Sequence, residues 1–245
     1  MKRKISISII VVLILCIGLL IYINRDIDSE QLKGSILVGE WQGGNENTVY
    51  VLDLETNSRT YIDASIARRF SFAGDNNHLI HSVENKIYIY DIKSNTNTLI
   101  CEVPYDGIIG MAKYINKDTV SFLVENKLVL FNFKSKKEEI VTFQLSGNEY
   151  SYCSQNNKLY YSESRKIYEF DLGTKVKKYI GDGHNPIISR KGNVMGYMIH
   201  DDNLKRKNFF VKNLNTGEIW KKKYDAYSYV LSPDENFVLM RKEGR

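Results

Sequence analysis

Proline, cysteine and tryptophan are scarce: 3, 3 and 2 of 245 residues. So few prolines, with only 16 glycines, exclude a collagen-like or linker-dominated chain. The cysteines are Cys16, inside an apolar run, and Cys101 and Cys153, far apart in sequence. They form neither a disulfide framework nor a zinc spacing, so a core must hold the fold. A large excess of one charge is also lacking, with 34 basic against 29 acidic residues. Three of the basic ones are Lys2, Arg3 and Lys4 at the very start. The remainder is nearly balanced, which removes the electrostatic case for nucleic-acid binding. No P-loop, G-x-G-x-x-G, H-E-x-x-H or EF-hand pattern occurs, and Gly43-Gly44 has no following helix. His78, His81, His184 and His200 have no companions at metal-ligand spacing, so no cofactor and no metal are expected.

What is present begins with residues 5–23, ISISIIVVLILCIGLLIYI, which carry no charge. As a helix this run is long enough to cross a hydrocarbon core of about 30 Å. No small-residue cleavage site follows it, so it is read as a transmembrane signal anchor. The basic stub 1–4 then stays in the cytoplasm by the positive-inside rule, with a linker at 24–34 and residues 35–245 outside. The expected localisation is a single-pass cell-membrane protein with its folded domain extracytoplasmic.

The folded part repeats. TVYVLDLETN, KIYIYDIKSN, KLVLFNFKSK, KIYEFDLGTK and NFFVKNLNTG superimpose, anchored at Asp53, Asp91, Asn132, Asp171 and Asn213 with spacings of 38, 41, 39 and 42. Each anchor is followed three residues later by Thr56, Ser94, Ser135, Thr174 or Thr216. A short carboxylate or amide at a strand end caps the amides of the next turn, so these repeated residues are read as structural. Polar hairpins such as Gly74-Asp75-Asn76-Asn77 and Gln155-Asn156-Asn157 separate further apolar strands, giving four strands per unit. The first strand of a unit carries Ser71, Ala112 or Ser151, eight residues before Leu79, Val120 or Leu159. Alternation sets these small residues opposite flanking aromatics, and they are read as facing a crowded axis while the aromatics pack between sheets.

A period near forty with four strands per unit predicts an all-β fold, a β-propeller of about five four-stranded blades, or six. Ser232-Pro233-Asp234-Glu235-Asn236 resembles the S-P-D-G-x hairpin of TolB-like and WD-repeat-like propellers, with Glu235 in place of the glycine. The resemblance implies a propeller and a binding role, and it transfers no active-site residue. The first unit lacks an inner strand and the last its outer two, so either the ends complete one blade or a sixth stays incomplete.

Loops that enter inner strands supply the rim candidates. Gly181 to Pro186 brings Asp182 and His184, Pro104 to Gly107 brings Tyr105 and Asp106, and Arg68 and Arg69 precede the first inner strand. The expected function is a non-catalytic binding or scaffolding module for a protein or cell-envelope component. The alternative is a propeller hydrolase or lyase on carbohydrate or peptide, with Asp106 and Asp182 as acid and base.

Overall fold

The structure is a computed structural model that describes residues 35–41, 47–53, 55–62, 70–73, 75, 77–145, 149–201, 206–222, 226–231, 235 and 238–242. The expected stub, membrane anchor and linker, and Arg68 and Arg69, lie outside the described residues. Among the described residues no helix is long and apolar enough to cross a membrane.

Among the described residues, twenty-one strands form six antiparallel meanders. The first sheet holds β1 (Ser35–Trp41), β2 (Asn47–Asp53) and β3 (Arg59–Ile62). Four complete sheets follow. They are β4 (Phe70–Phe72) to β7 (Thr96–Glu102), β8 (Gly110–Asn116) to β11 (Lys137–Thr142), β12 (Ser151–Cys153) to β15 (Lys177–Asp182), and β16 (His184–Ile188) to β19 (Ile219–Lys222). Between their ends lie β5 (His78–Val83), β6 (Lys86–Asp91), β9 (Thr119–Val124), β10 (Lys127–Asn132), β13 (Lys158–Glu163), β14 (Lys166–Asp171), β17 (Val194–Asp201) and β18 (Arg206–Asn213). The sixth sheet holds only β20 (Ala226–Leu231) and β21 (Val238–Lys242). Among the described residues, the first and last strands therefore belong to separate sheets, β1-β2-β3 and β20-β21.

Burial follows position within a sheet. The middle strands, such as TVSFLV in β9, are covered on both faces, and the outer ones, such as KEEIVT in β11, are exposed at one end and mostly half-buried beyond it. Lysines and glutamates along an outer edge discourage edge-to-edge association. The cores lie between sheets. Ile80 and Ile87 of the second pack with Ala112, Val120, Phe122 and Phe131 of the third, and Leu123 and Leu128 of the third with Tyr150, Leu159 and Tyr161 of the fourth.

The turns explain the period. Asp53 Oδ1 accepts from the amides of Glu55 and Thr56 at 2.9 and 2.8 Å, and Asp91 Oδ1 from those of Lys93 and Ser94. Asn132 accepts from Ser135, Asp171 from Gly173 and Thr174, and Asn213 from Asn215 and Thr216. Four residues after each anchor the backbone turns left-handed, at Asn57, Asn95, Lys136, Lys175 and Gly217. One residue after the anchor, the amides of Ile92, Phe133, Leu172 and Leu214 donate to Asn77, Asp118, Asn157 and Asn193 in the hairpin leaving the inner strand. Turns and hairpins thus share one end of the sheets.

At the opposite end, β5 to β6, β9 to β10 and β13 to β14 turn through Glu84-Asn85, Glu125-Asn126 and Ser164-Arg165. Glu125, Asn126, Ser164 and Arg165 have φ of 48 to 64°, the geometry of a type I′ turn. Loops running to the next inner strand bond to these hairpins: Val103 to Asn85, Leu145 to Asn126 and Gly183 to Arg165. This end is the loop face.

Candidate functional site

Counting along the second strand from the residue opposite each anchor aligns the inner strands. Ser71 pairs with Ile80, Lys113 with Ser121, Ser151 with Tyr160 and Ile187 with Gly196, so Ser71, Lys113, Ser151 and Ile187 share one level. Register shifts in β8 displace it, so Lys113 and not Ala112 occupies the level of the serines. This corrects the eight-residue count, because a bulge adds a residue to one strand alone. Ala112 is buried between the second and third sheets. The small residues touch neighbouring strands: Ser151 Oγ donates to the Pro186 carbonyl at 2.9 Å, and Ser71 Oγ accepts from Lys113 Nζ at 2.9 Å. The aromatics face the preceding sheet, where the Tyr150 and Tyr152 hydroxyls donate to the Met111 and Ile115 carbonyls.

Lys113 retains partial solvent access while protein crowds its ammonium. Burial lowers its pKa to about 8, opposed by the charge of Glu149. Glu149 also acts on Tyr229, whose titration is pushed well up, first by burial and then by that carboxylate. The Tyr229 hydroxyl donates to the Asn185 carbonyl. Asn185 has φ of 51°, and its Oδ1 is buried without a hydrogen-bond partner. No simple pattern announces this cluster, because its members come from inner strands and loops of different sheets.

Of the rim candidates, Tyr105, Asp106, Asp182 and His184 are described, and they lie on loops or strand ends of the loop face. Tyr105 is half-buried edge-on against Phe122 and donates to Glu138 Oε2 at 2.9 Å. Burial and that bond push its hydroxyl up to about 12. Asp106 is exposed beside it. Asp182 ends β15, accepting from the Tyr179 hydroxyl at 2.8 Å, and His184 starts β16 opposite Met198. Asp106 precedes the third sheet and Asp182 leaves the fourth, so they stand two inter-sheet loops apart. Among the described residues, no group of three His, Cys, Asp or Glu side chains could hold a metal ion.

The loop face instead exposes apolar side chains. Ile108 is 84% exposed and Phe143 64%, and Val83 ends β5 beside a hairpin. Phe143 borders a shallow depression of about 310 Å³ with Val141, Thr142, Gln144 and the ion pair of Glu163 and Lys177, 2.6 Å apart.

No family model and no curated protein matches the sequence. Solved structures do match. TolB from Acinetobacter baumannii superimposes with a TM-score of 0.64 at 15% identity, over 83% of this chain and 56% of that one. The fold is a β-propeller. The chain spans little more than half the length of that TolB structure. An oligogalacturonate lyase in complex with manganese matches with a TM-score of 0.56 at 14% identity, over 85% of this chain and 82% of that one. A mitotic checkpoint complex chain matches with a TM-score of 0.56 at 12% identity, over 85% and 80%. At these identities the likeness of the propeller is one of fold.

Proposed function

We propose that the chain is a membrane-tethered, non-catalytic binding propeller whose loop face takes a protein or cell-envelope partner outside the cytoplasm. The observation that carries the reading is the exposure of Ile108 and Phe143 on loops of one face, where Phe143 borders the depression edged by Glu163 and Lys177. Apolar groups ringed by polar ones suit a docking surface better than open water. The register adds an orientation. Ser35 opens β1 opposite Asp53, at the turn end of the first sheet. A tether through residues 5–23 and 24–34 would hold the turn end toward the bilayer and leave the loop face free.

The acid–base alternative needs two carboxyl groups across one substrate bond. Asp106 is exposed and Asp182 accepts from the Tyr179 hydroxyl of its own outer strand, which favours the binding reading.

The test is crosslinking in intact membranes of the full chain against the double variant Ile108→Glu, Phe143→Glu. The binding reading expects a discrete adduct that the double variant loses while keeping its thermal unfolding temperature. An adduct unchanged by both charges would remove the loop face from the function.

A further inference from the structure

The turn ends of the third, fourth and fifth sheets adjoin one another and expose a different chemistry from the loop face. The Tyr152 hydroxyl of the fourth inner strand donates to the Ile115 carbonyl, beside the third hairpin, at 3.2 Å. The fifth hairpin abuts the fourth, where Cys153 Sγ donates to the Arg190 carbonyl at 3.7 Å and a Cβ on Gly192 would lie 2.8 Å from Asn156. Lys175 of the fourth turn reaches Glu139 of β11 at 2.5 Å, and Asn215 of the fifth turn donates to Asn193 of its own hairpin at 3.0 Å.

Lys117, Lys134, Lys136, Lys137, Arg190 and Lys191 are all exposed on or beside these turns and hairpins. Nearby carboxylates already hold donors: Asp171 accepts from the amides of Gly173 and Thr174, Glu138 from the Tyr105 hydroxyl and Glu139 from Lys175. That leaves half-buried Asp118 and exposed Glu218 against the cations. At the rim of the same surface Val176 is 58% exposed, Ile219 50% and Trp220 46%, with Val176 set between Lys175 and Lys177. Lysines suit lipid phosphates, and an indole suits the headgroup layer, where its ring leaves water and its N–H keeps a partner. A soluble polyanion would engage the cations and leave the three apolar side chains in water. We propose that this surface seats on anionic lipid headgroups, with its lysines and arginine on the phosphates and Val176, Ile219 and Trp220 in the headgroup layer. It rests on the tether proposed above and adds what the turn end touches.

The experiment places the full chain in lipid nanodiscs of phosphatidylcholine, alone or mixed with phosphatidylglycerol, and reads each lysine by acetylation footprinting and mass spectrometry. Anionic lipid should slow Lys134, Lys136, Lys137 and Lys191 by about fivefold or more, while Lys86, Lys127 and Lys166 beside the loop-face hairpins react equally in both discs. The double variant Ile219→Ser, Trp220→Ser should at least halve that slowing, and Lys134→Glu, Lys136→Glu, Lys137→Glu should return Lys191 to its rate in neutral discs. Equal rates in the two discs, slowing that extends evenly to Lys166, or undiminished slowing in a folded Ile219→Ser, Trp220→Ser protein would overturn the proposal and leave the tether standing. A chain that copurifies with neither disc would remove the tether itself, and the proposal with it.

Discussion

Replacing Tyr150 by Phe removes one oxygen atom and tests whether the sheets are locked by specific polar bonds or by apolar packing alone. Tyr150 is 2% exposed, and its hydroxyl meets the Ser121 hydroxyl at 2.8 Å while donating to the Met111 carbonyl at 3.1 Å. Ser121 is itself wholly buried. The ring would stay in place among Leu123, Leu159 and Tyr161, so the cavity term is small. Two buried polar groups would lose a partner, at about 1–2 kcal/mol each, for a total of about 2–4 kcal/mol. With an ordinary urea dependence, that lowers the unfolding midpoint by about 1–2 M. Ser121→Ala should cost less, near 1 kcal/mol, because Tyr150 keeps the Met111 carbonyl. The double variant should lose less than the sum of the singles, since each single forfeits the same bond. Urea unfolding of the full-length chain in mild detergent measures all three. A cost for Tyr150→Phe below about 0.5 kcal/mol, or strict additivity, would refute the assignment of a polar lock.

Three further outcomes follow from the packing. His81 is wholly buried, stacked on Tyr88 and bonded through Nε2 to Asn97, and burial holds its pKa below the usual 6.5 despite that bond. The unfolded chain therefore takes up this proton first, and stability is lost as pH falls below about 6.5. His81→Leu should flatten that limb in urea titrations between pH 7 and 5. Asp53, Asp91 and Asp171, held below 3.8 chiefly by amides of Thr56, Ser94 and Thr174, lose their contribution only in more acid solution. A Cβ on Gly196 would sit 2.7 Å from the Tyr229 ring and 3.2 Å from Phe209, so Gly196→Ala should cost about 1–3 kcal/mol by overpacking, read as a lower melting temperature. Glu235 stands at φ of 72° and ties Ser189 Oγ and the Asn193 amides to its carboxylate. Glu235→Ala should therefore destabilise more than Glu235→Gly, because glycine at least relieves the left-handed backbone by about 1 kcal/mol in thermal melts.

How much of this was legible depends on the reach of each interaction. The side-chain oxygen of Asp91 or Asn132 accepts from amides two or three residues ahead, so the turn is written in a few consecutive letters and recurs at the blade period. Glu235 stood out as a departure from a hairpin pattern. Its place matches Gly192, which has φ of 81°, while its carboxylate reaches across to the preceding sheet, a contact no local pattern contains. Lys113 was passed over because the spacing rule assumed an unbroken ladder and counted to Ala112, whereas β8 carries register shifts. The bond from Lys113 to Ser71 joins residues of adjacent sheets, so it exists only once the sheets are packed. Turn composition singles out Tyr105 and Asp182, and each meets another residue's polar group, Glu138 or Tyr179.

The most direct test of the central claim, a propeller tethered outside the cytoplasm with its loop face free, is labelling of Ile108→Cys in intact cells with a membrane-impermeant maleimide. Cys101 and Cys153 are buried, and burial pushes the Cys101 thiol up to about 11, so the wild-type chain sets a low background. The account predicts strong labelling of Ile108→Cys before lysis. Labelling that appears only after the cells are broken would contradict it.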